Sequence, residues 1–214
     1  MKSDNSQKGV AGRFLVLDGP DACGKSSQAR MLMDWLQGRA VETVGFRDPG
    51  TTAIGEKIRD ILLSPAHEAM TTSTEVLLYM AARAQLWAEG IAPALTESKC
   101  VVLDRWLSST CAYQGHAGGF GMEKVIRIAQ DSLERVWPDL TIVLDVDLDT
   151  AAQRLNRELD RMERKGKDYH NRVRKGFLKL AESRADFVVI DATPDPDTVH
   201  KEIVRVVQNR VYVT

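Results

Sequence analysis

Cysteine occurs only three times, at Cys23, Cys100 and Cys111, too few and too scattered for a disulfide framework or a zinc site. That scarcity points to a reducing compartment. No apolar run approaches the roughly 18 residues of a membrane span, and residues 1–12 are polar, lacking the hydrophobic stretch of a secretory signal. Neither charge is in surplus: 29 Lys and Arg face 30 Asp and Glu, a formal net charge of −1. Nothing global therefore favours nucleic acid or a membrane surface as partner. Internal repeats, low-complexity tracts and linkers are also missing, which argues against two domains. What remains, 43% hydrophobic and 28% charged over 214 residues, is enough for one buried α/β core. The expectation is a cytoplasmic protein with a disordered leader at 1–12 and one domain over 13–210.

The most informative stretch is Phe14 to Ser26, where the apolar run Phe14–Asp18 breaks into Gly19-Pro20-Asp21-Ala22-Cys23-Gly24-Lys25-Ser26. Helix-forming residues Gln28 to Leu36 follow. Strand, G-x-x-x-x-G-K-S loop and helix together are the setting in which backbone amides cradle nucleotide phosphates. Gly19 and Gly24 allow backbone angles and close approaches that a side chain would block. Lys25 can reach the β- and γ-phosphates, and the Ser26 hydroxyl can ligate Mg²⁺.

The rest of the chain alternates. Apolar runs at 41–46, 100–104, 140–146 and 187–191 read as strands. Helical spacing appears at 24–36, 54–63, 73–91, 124–136, 170–183 and 198–208, with a shorter stretch near 109–113 and a strongly charged helix at 150–165. This is the pattern of an α/β protein with a doubly wound, five-stranded parallel sheet of the P-loop nucleoside triphosphate hydrolase type. A helical lid is expected at about 150–171.

In such sheets ligands bind at the carboxyl ends of the strands, and the unusual polar residues fall there. Val101-Val102-Leu103-Asp104 ends in an acid suited to a Mg²⁺-bound water, so Ser26 and Asp104 are the candidate metal residues. Arg47, Arg59 and Arg105 lie at or beside strand ends. A lone Arg is usually a solvated cation. Three converging on one cleft would make a second phosphate site, because guanidinium forks pair with phosphate oxygens. Two phosphate sites favour transfer to a phosphorylated acceptor over hydrolysis.

The chain resembles the thymidylate kinase family over about residues 13–205. The match is carried by Asp18–Ser26, Arg47-Asp48-Pro49-Gly50-Thr51-Thr52, Ile58-Arg59, Ala81-Ala82-Arg83-Ala84-Gln85, Asp104-Arg105, Ser109-Thr110, Ala112-Tyr113-Gln114-Gly115, Pro138–Thr141, Asp160–Glu163 and Asn171–Arg174. The resemblance implies phosphorylation of dTMP to dTDP by ATP with Mg²⁺, in a homodimer. It assigns ATP to Gly19, Pro20, Asp21, Ala22, Cys23, Gly24, Lys25, Ser26 and Ser27, with Arg154 from the lid. Tyr79 would stack on thymine, and Arg83, Thr110 and Gln114 would read the base edge. Arg59 and Arg105 would hold the dTMP phosphate, with Asp48, Pro49, Ser109 and Tyr113 completing the acceptor site. Asp21 would meet the acceptor's sugar hydroxyl or the metal-bound water. Catalysis would fall to Lys25, Arg105 and a lid cation, either Arg157 or Arg161, because Ala22 stands where some members place an arginine.

Three departures stand out: Asp48 replaces the usual Glu, Thr51 a usual Gly, and Cys23 a common Gly. A thiol at a helix N-terminus beside Lys25 is expected to have a lowered pKa and to react with alkylating reagents unless ATP protects it. Rival readings are a kinase for another monophosphate or a deoxynucleoside, or a nucleotide-gated switch.

Overall fold

Strands β1 (Phe14–Asp18), β2 (Thr43–Arg47), β3 (Cys100–Asp104), β4 (Leu140–Asp145) and β5 (Phe187–Asp191) pair in parallel in the order β2-β3-β1-β4-β5. The structure is a computed structural model and describes residues 10–154 and 158–211. Both β1 and β3 are buried at every position, which is why they read as continuous apolar runs. Pairing of Leu17 with Asp104, and of Arg47 with Asp104, brings the carboxyl ends of the first three strands together.

The helices are α1 (Lys25–Gln37), α2 (Ala53–Leu63), α3 (Thr72–Leu86), α4 (Ala92–Thr96), α5 (Leu107–Thr110), α6 (Met122–Ser132), α7 (Leu148–Arg154), α8 (Lys167–Glu182) and α9 (Pro196–Val211). Side chains alternate along each strand and so divide the core in two. Phe14, Val16, Val101 and Leu103 pack with Val76, Met80, Val125, Val173 and Phe177 of α3, α6 and α8. Leu15, Leu17, Val102 and Ile142 pack on the other face with Leu32 and Leu36 of α1 and Ile203 and Val207 of α9. Each fully buried Leu, Val, Ile or Phe contributes roughly 1.5–3 kcal/mol, so both layers hold the strand ends firmly. The chain runs from β1 outward to β2, returns to β3 and then crosses to β4. The crevice of this reversal lies at the ends of β1 and β3.

Several expected boundaries move. β2 begins at Thr43 rather than Val41; it is an edge strand with partial exposure, so its apolar signal is weaker. The helix expected to run to Ile91 passes from α3 into a π-helical turn, Trp87–Ile91, and on into α4. Of the charged helix expected over 150–165, α7 covers the part up to Arg154, 155–157 lie outside the described residues, 158–160 are not helical, and Arg161–Arg164 form a turn. Asp160 makes that turn: its Oδ1 accepts from the amides of Met162 at 2.8 Å and Glu163 at 3.0 Å. Glu163 answers through Oε2, which accepts from the Asp160 amide at 3.1 Å. α8 then starts at Lys167, earlier than His170. Val10, expected in the leader, is fully buried, and the Gly12 amide donates to Ser98 O at 2.9 Å; positions 1–9 lie outside the described residues. Among the described residues no helix is long and apolar enough to cross a membrane.

Candidate active site

The loop between β1 and α1 is held by its glycines and by two buried side chains. Gly19 sits at φ 138°, and a β-carbon there would lie 2.4 Å from Leu144 O of β4, so only glycine fits. Gly24 needs the conformation alone: φ is 94° and the space beside it is open. Asp18, fully buried at the end of β1, accepts from Gly19 N at 2.9 Å, Ser109 Oγ at 2.6 Å and Ser108 Oγ at 2.5 Å. One carboxylate thereby ties the loop after β1 to the loop after β3. Lys25 Nζ donates to Pro20 O at 2.6 Å and Gly19 O at 3.3 Å. The Ser26 hydroxyl donates to the Asp104 carboxylate.

Arg105 crosses between the loops. Its backbone is in the left-handed region at φ 70°, a conformation that costs a non-glycine residue about 1–3 kcal/mol and is over-determined here. Nη1 donates to Gly19 O at 3.0 Å and Ser109 Oγ at 2.9 Å, and Nη2 donates to Asp21 Oδ1 at 2.5 Å. Tyr113 donates from its hydroxyl to Asp21 Oδ2 at 2.6 Å. Burial alone would raise the Asp21 carboxyl, but Arg105, Lys25 and the Tyr113 hydrogen bond outweigh it and hold its pKa below the ordinary value.

A cleft opens above this frame, lined by Lys25, Ser26, Asp104 and Arg105 on one side and by Arg47, Pro49 and Arg59 on the other. The three arginines expected to converge do so. Arg59 Nη1 donates to Pro49 O at 3.2 Å, while Arg47 pairs with Glu56 at 3.0 Å. Burial first, and nearby Arg47 second, lower the Arg59 pKa, a strain that an anion between them would relieve.

The far end of the cleft is walled by Tyr79, Arg83, Thr110 and Gln114. Arg83 is enclosed: Nε donates to Asp48 Oδ2 at 2.8 Å, and Nη2 donates to the same oxygen, to Thr110 Oγ1 at 3.1 Å and to Trp106 O at 3.2 Å. Thr110, expected at the base edge, thus steadies Arg83. Burial pushes the Tyr79 phenol up, with Glu75 adding to the rise.

A second cavity flanks the other side of the phosphate loop, bounded by Cys23, Gly24, Ser27, Arg154 and the turn Thr193–Pro196. Arg154 is fixed there by donating to Ala192 O at 2.9 Å and Thr193 O at 3.0 Å. Of the two expected lid cations, Arg157 lies outside the described residues. Arg161 does not line the cleft: it is buried, with Nη1 donating to Glu75 Oε1 at 2.6 Å and Nε to Leu62 O at 2.7 Å. The expectation for Cys23 is corrected as well. Burial raises its thiol pKa although Lys25 and Arg105 pull the other way, because the side chain is enclosed instead of facing solvent at the helix end.

The motifs left some site residues without a role. Asp18 acts through other residues, as does Ser108, which no motif included, and Asp160, Met162 and Glu163, which entered only as part of the resemblance, line the cleft at the turn 161–164. Glu75 stands in the first turn of α3, where an acid is ordinary and carries no signal of a site.

Two cavities share one phosphate loop, one of them ringed by arginines: the arrangement of a P-loop nucleotide phosphotransferase. Comparison with known proteins narrows this. The family model described as thymidylate kinase matches residues 17–203. A thymidylate kinase of Thermoanaerobacter sp. (strain X514) is 41% identical over 201 residues, covering 93% of this chain and 98% of that protein. One from Symbiobacterium thermophilum is 42% identical over 197 residues, covering 91% and 92%. The crystal structure of a thymidylate kinase from Ehrlichia chaffeensis superposes with a TM-score of 0.75 at 28% identity, covering 92% of this chain and 98% of that one. The chain belongs to the thymidylate kinase family.

Proposed function

We propose that this chain transfers the γ-phosphoryl group of ATP to dTMP, giving dTDP and ADP. The observation that carries the reading is the convergence of Arg47, Arg59 and Arg105 on a cleft whose floor is the phosphate loop. A nucleoside acceptor would leave that cationic ring unmatched, whereas a monophosphate neutralises it. Tyr79 supplies a flat face for a base, and Arg83 and Gln114 supply polar groups beside it.

In the reaction, a dTMP phosphate oxygen attacks the γ-phosphorus in line while the bond to the β-phosphate oxygen breaks and ADP leaves. No general base is required, since a phosphate monoester with a second pKa near 6 is already ionised at neutral pH. Catalysis is then positioning and charge neutralisation by loop amides, Lys25 and Arg105. Ser26 and Asp104 present hard oxygens at the phosphate loop, and among the described residues no cluster of three or more His, Cys, Asp or Glu competes for a metal. This donor set fits Mg²⁺, which is commonly held by one or two protein oxygens together with waters and phosphates. Bound there, it would offset charge between the β- and γ-phosphates.

With Arg161 committed to Glu75, Arg157 is the lid cation we assign to the transferred group. Arg154 and the turn Thr193–Pro196 bound the cavity we assign to the ATP base. A homodimer is proposed through α2 and α3, where Ile54, Ile61 and Leu77 stand exposed. A cytoplasmic location fits three free, buried cysteines. ADP release measured across dTMP, dUMP, AMP, CMP, GMP and thymidine tests the reading. Preference for dTMP is expected; activity on thymidine alone indicates a nucleoside kinase, and failure of every acceptor returns the nucleotide-gated switch.

A further inference from the structure

Glu75 has no role in the reading above, yet it is 1% exposed and every polar contact it makes leads to the cleft or its cover. Its Oε2 accepts from Gln114 Nε2 at 2.9 Å. Its Oε1 accepts from Arg161 Nη1 at 2.6 Å and, more distantly, from Lys165 Nζ at 3.4 Å. A buried carboxylate with this many donors is satisfied, and removal of its charge leaves buried partners without one.

We infer that Glu75 is a positioning residue that sets which base the cleft accepts and links that choice to the lid turn. The inference rests on the proposed reaction and deepens it. A carboxylate only accepts hydrogen bonds, so the edge of the Gln114 amide facing Glu75 must be the NH₂. The carbonyl Oε1 is thereby left as the acceptor that Gln114, a cleft-lining residue, offers to a base. Arg83 lines the same cleft; it spends Nε and Nη2 on Asp48, Thr110 and Trp106, and among the described residues Nη1 has only Met80 Sδ, at 3.5 Å, as polar partner. One donor and one acceptor lining the same cleft match the 4-carbonyl and N3–H of thymine or uracil. Cytosine presents the reverse pattern, an amino group and a bare ring nitrogen, and meets two mismatches. A neutral residue at 75 would let the Gln114 amide rotate and offer NH₂ to cytosine N3.

The other oxygen of the same carboxylate reaches the lid. Arg161 is pinned between Glu75 and the end of α2, with its amide donating to Leu63 O at 3.0 Å. Its neighbours Asp160, Met162 and Glu163 line the cleft. Base recognition and lid placement therefore share one anchor.

The test is Glu75→Gln, nearly isosteric but uncharged, assayed with dTMP and dCMP. The expected result is a fall of about tenfold or more in the dTMP-over-dCMP ratio of kcat/KM, carried mainly by KM. In a Gln114→Ala background the same substitution should leave that ratio where Gln114→Ala alone puts it. Arg161→Met should lower kcat while leaving the base ratio unchanged. An unchanged ratio in folded Glu75→Gln overturns the inference and leaves the proposed reaction standing. The unsubstituted protein gives a further reading, independent of turnover and of how Glu75→Gln folds. The Gln114 side-chain amide protons, assigned by their loss in Gln114→Ala, should be protected from solvent exchange; rapid exchange overturns the Glu75 contact.

Discussion

Arg105 Nη2 and Asp21 Oδ1 lie 2.5 Å apart, so a cation carried by the loop after β3 is joined directly to the phosphate loop after β1. The guanidinium bridges Asp21, Gly19 O and Ser109 in one plane of donors, which an ammonium cannot reproduce. Arg105→Lys should lower kcat/KM for dTMP by roughly 10²–10³-fold, the scale of losing one preorganised charge-stabilising donor. Steady-state kinetics beside an unchanged circular dichroism spectrum checks it; near-normal turnover would remove Arg105 from the machinery.

Asp48 and Arg83 are both 1% exposed and have each other as charged partner. Asp48→Asn leaves a buried guanidinium without its counter-charge, a loss on the order of 3–5 kcal/mol. For a chain of this size that corresponds to a Tm lower by about 10 °C. Differential scanning calorimetry reads it directly, and a shift of only a degree or two contradicts the importance given to the pair.

All three thiols are buried, and burial pushes Cys100 and Cys111 up to about 12, with Cys23 raised as well. Alkylation of the native protein near pH 7.5 should therefore be slow at every cysteine and become complete in denaturant. Mass spectrometry after timed iodoacetamide treatment distinguishes this from selective modification of Cys23, the outcome its place in the sequence had suggested.

Acid stability carries a further signature. The Asp21 pKa is depressed below its ordinary 3.8 in the folded state, so its contribution is present above that value. It is lost as pH falls through the folded pKa, since the unfolded chain takes up the proton first. Urea unfolding free energies should decline between about pH 5 and pH 3, and Asp21→Asn should flatten that decline. Parallel acid limbs for the two proteins would count against the assignment.

How far the sequence predicted these features depended on whether the cause was local. Phe14–Asp18, Cys100–Asp104 and Phe187–Asp191 were bounded to the residue, because short runs rich in β-branched and apolar side chains and closed by Asp state their own ends. The phosphate loop and the arginine ring were legible for a similar reason: strand ends in a parallel sheet face one crevice. The lid was not. Its density of charge reads as an exposed helix, but Asp160 caps a turn and Arg161 is drawn inward by Glu75, 86 positions away. No local pattern announces a partner at that separation. The π-helical turn at Trp87–Ile91 escaped as well, because an apolar period near 3.6 averages over the one wider turn.

Asp18 gives the fold a separation of duties. It is fully buried, and it sets the spacing between the phosphate loop and the loop that carries Arg105. In the proposed reaction the geometry of transfer is thus built into the sheet, while the choice of base is assigned to α3 and the helical segment after β3. Mutation can reshape the base-reading wall and alter which nucleotide is accepted without shifting donor against acceptor, so a lineage could change substrate while keeping its reaction.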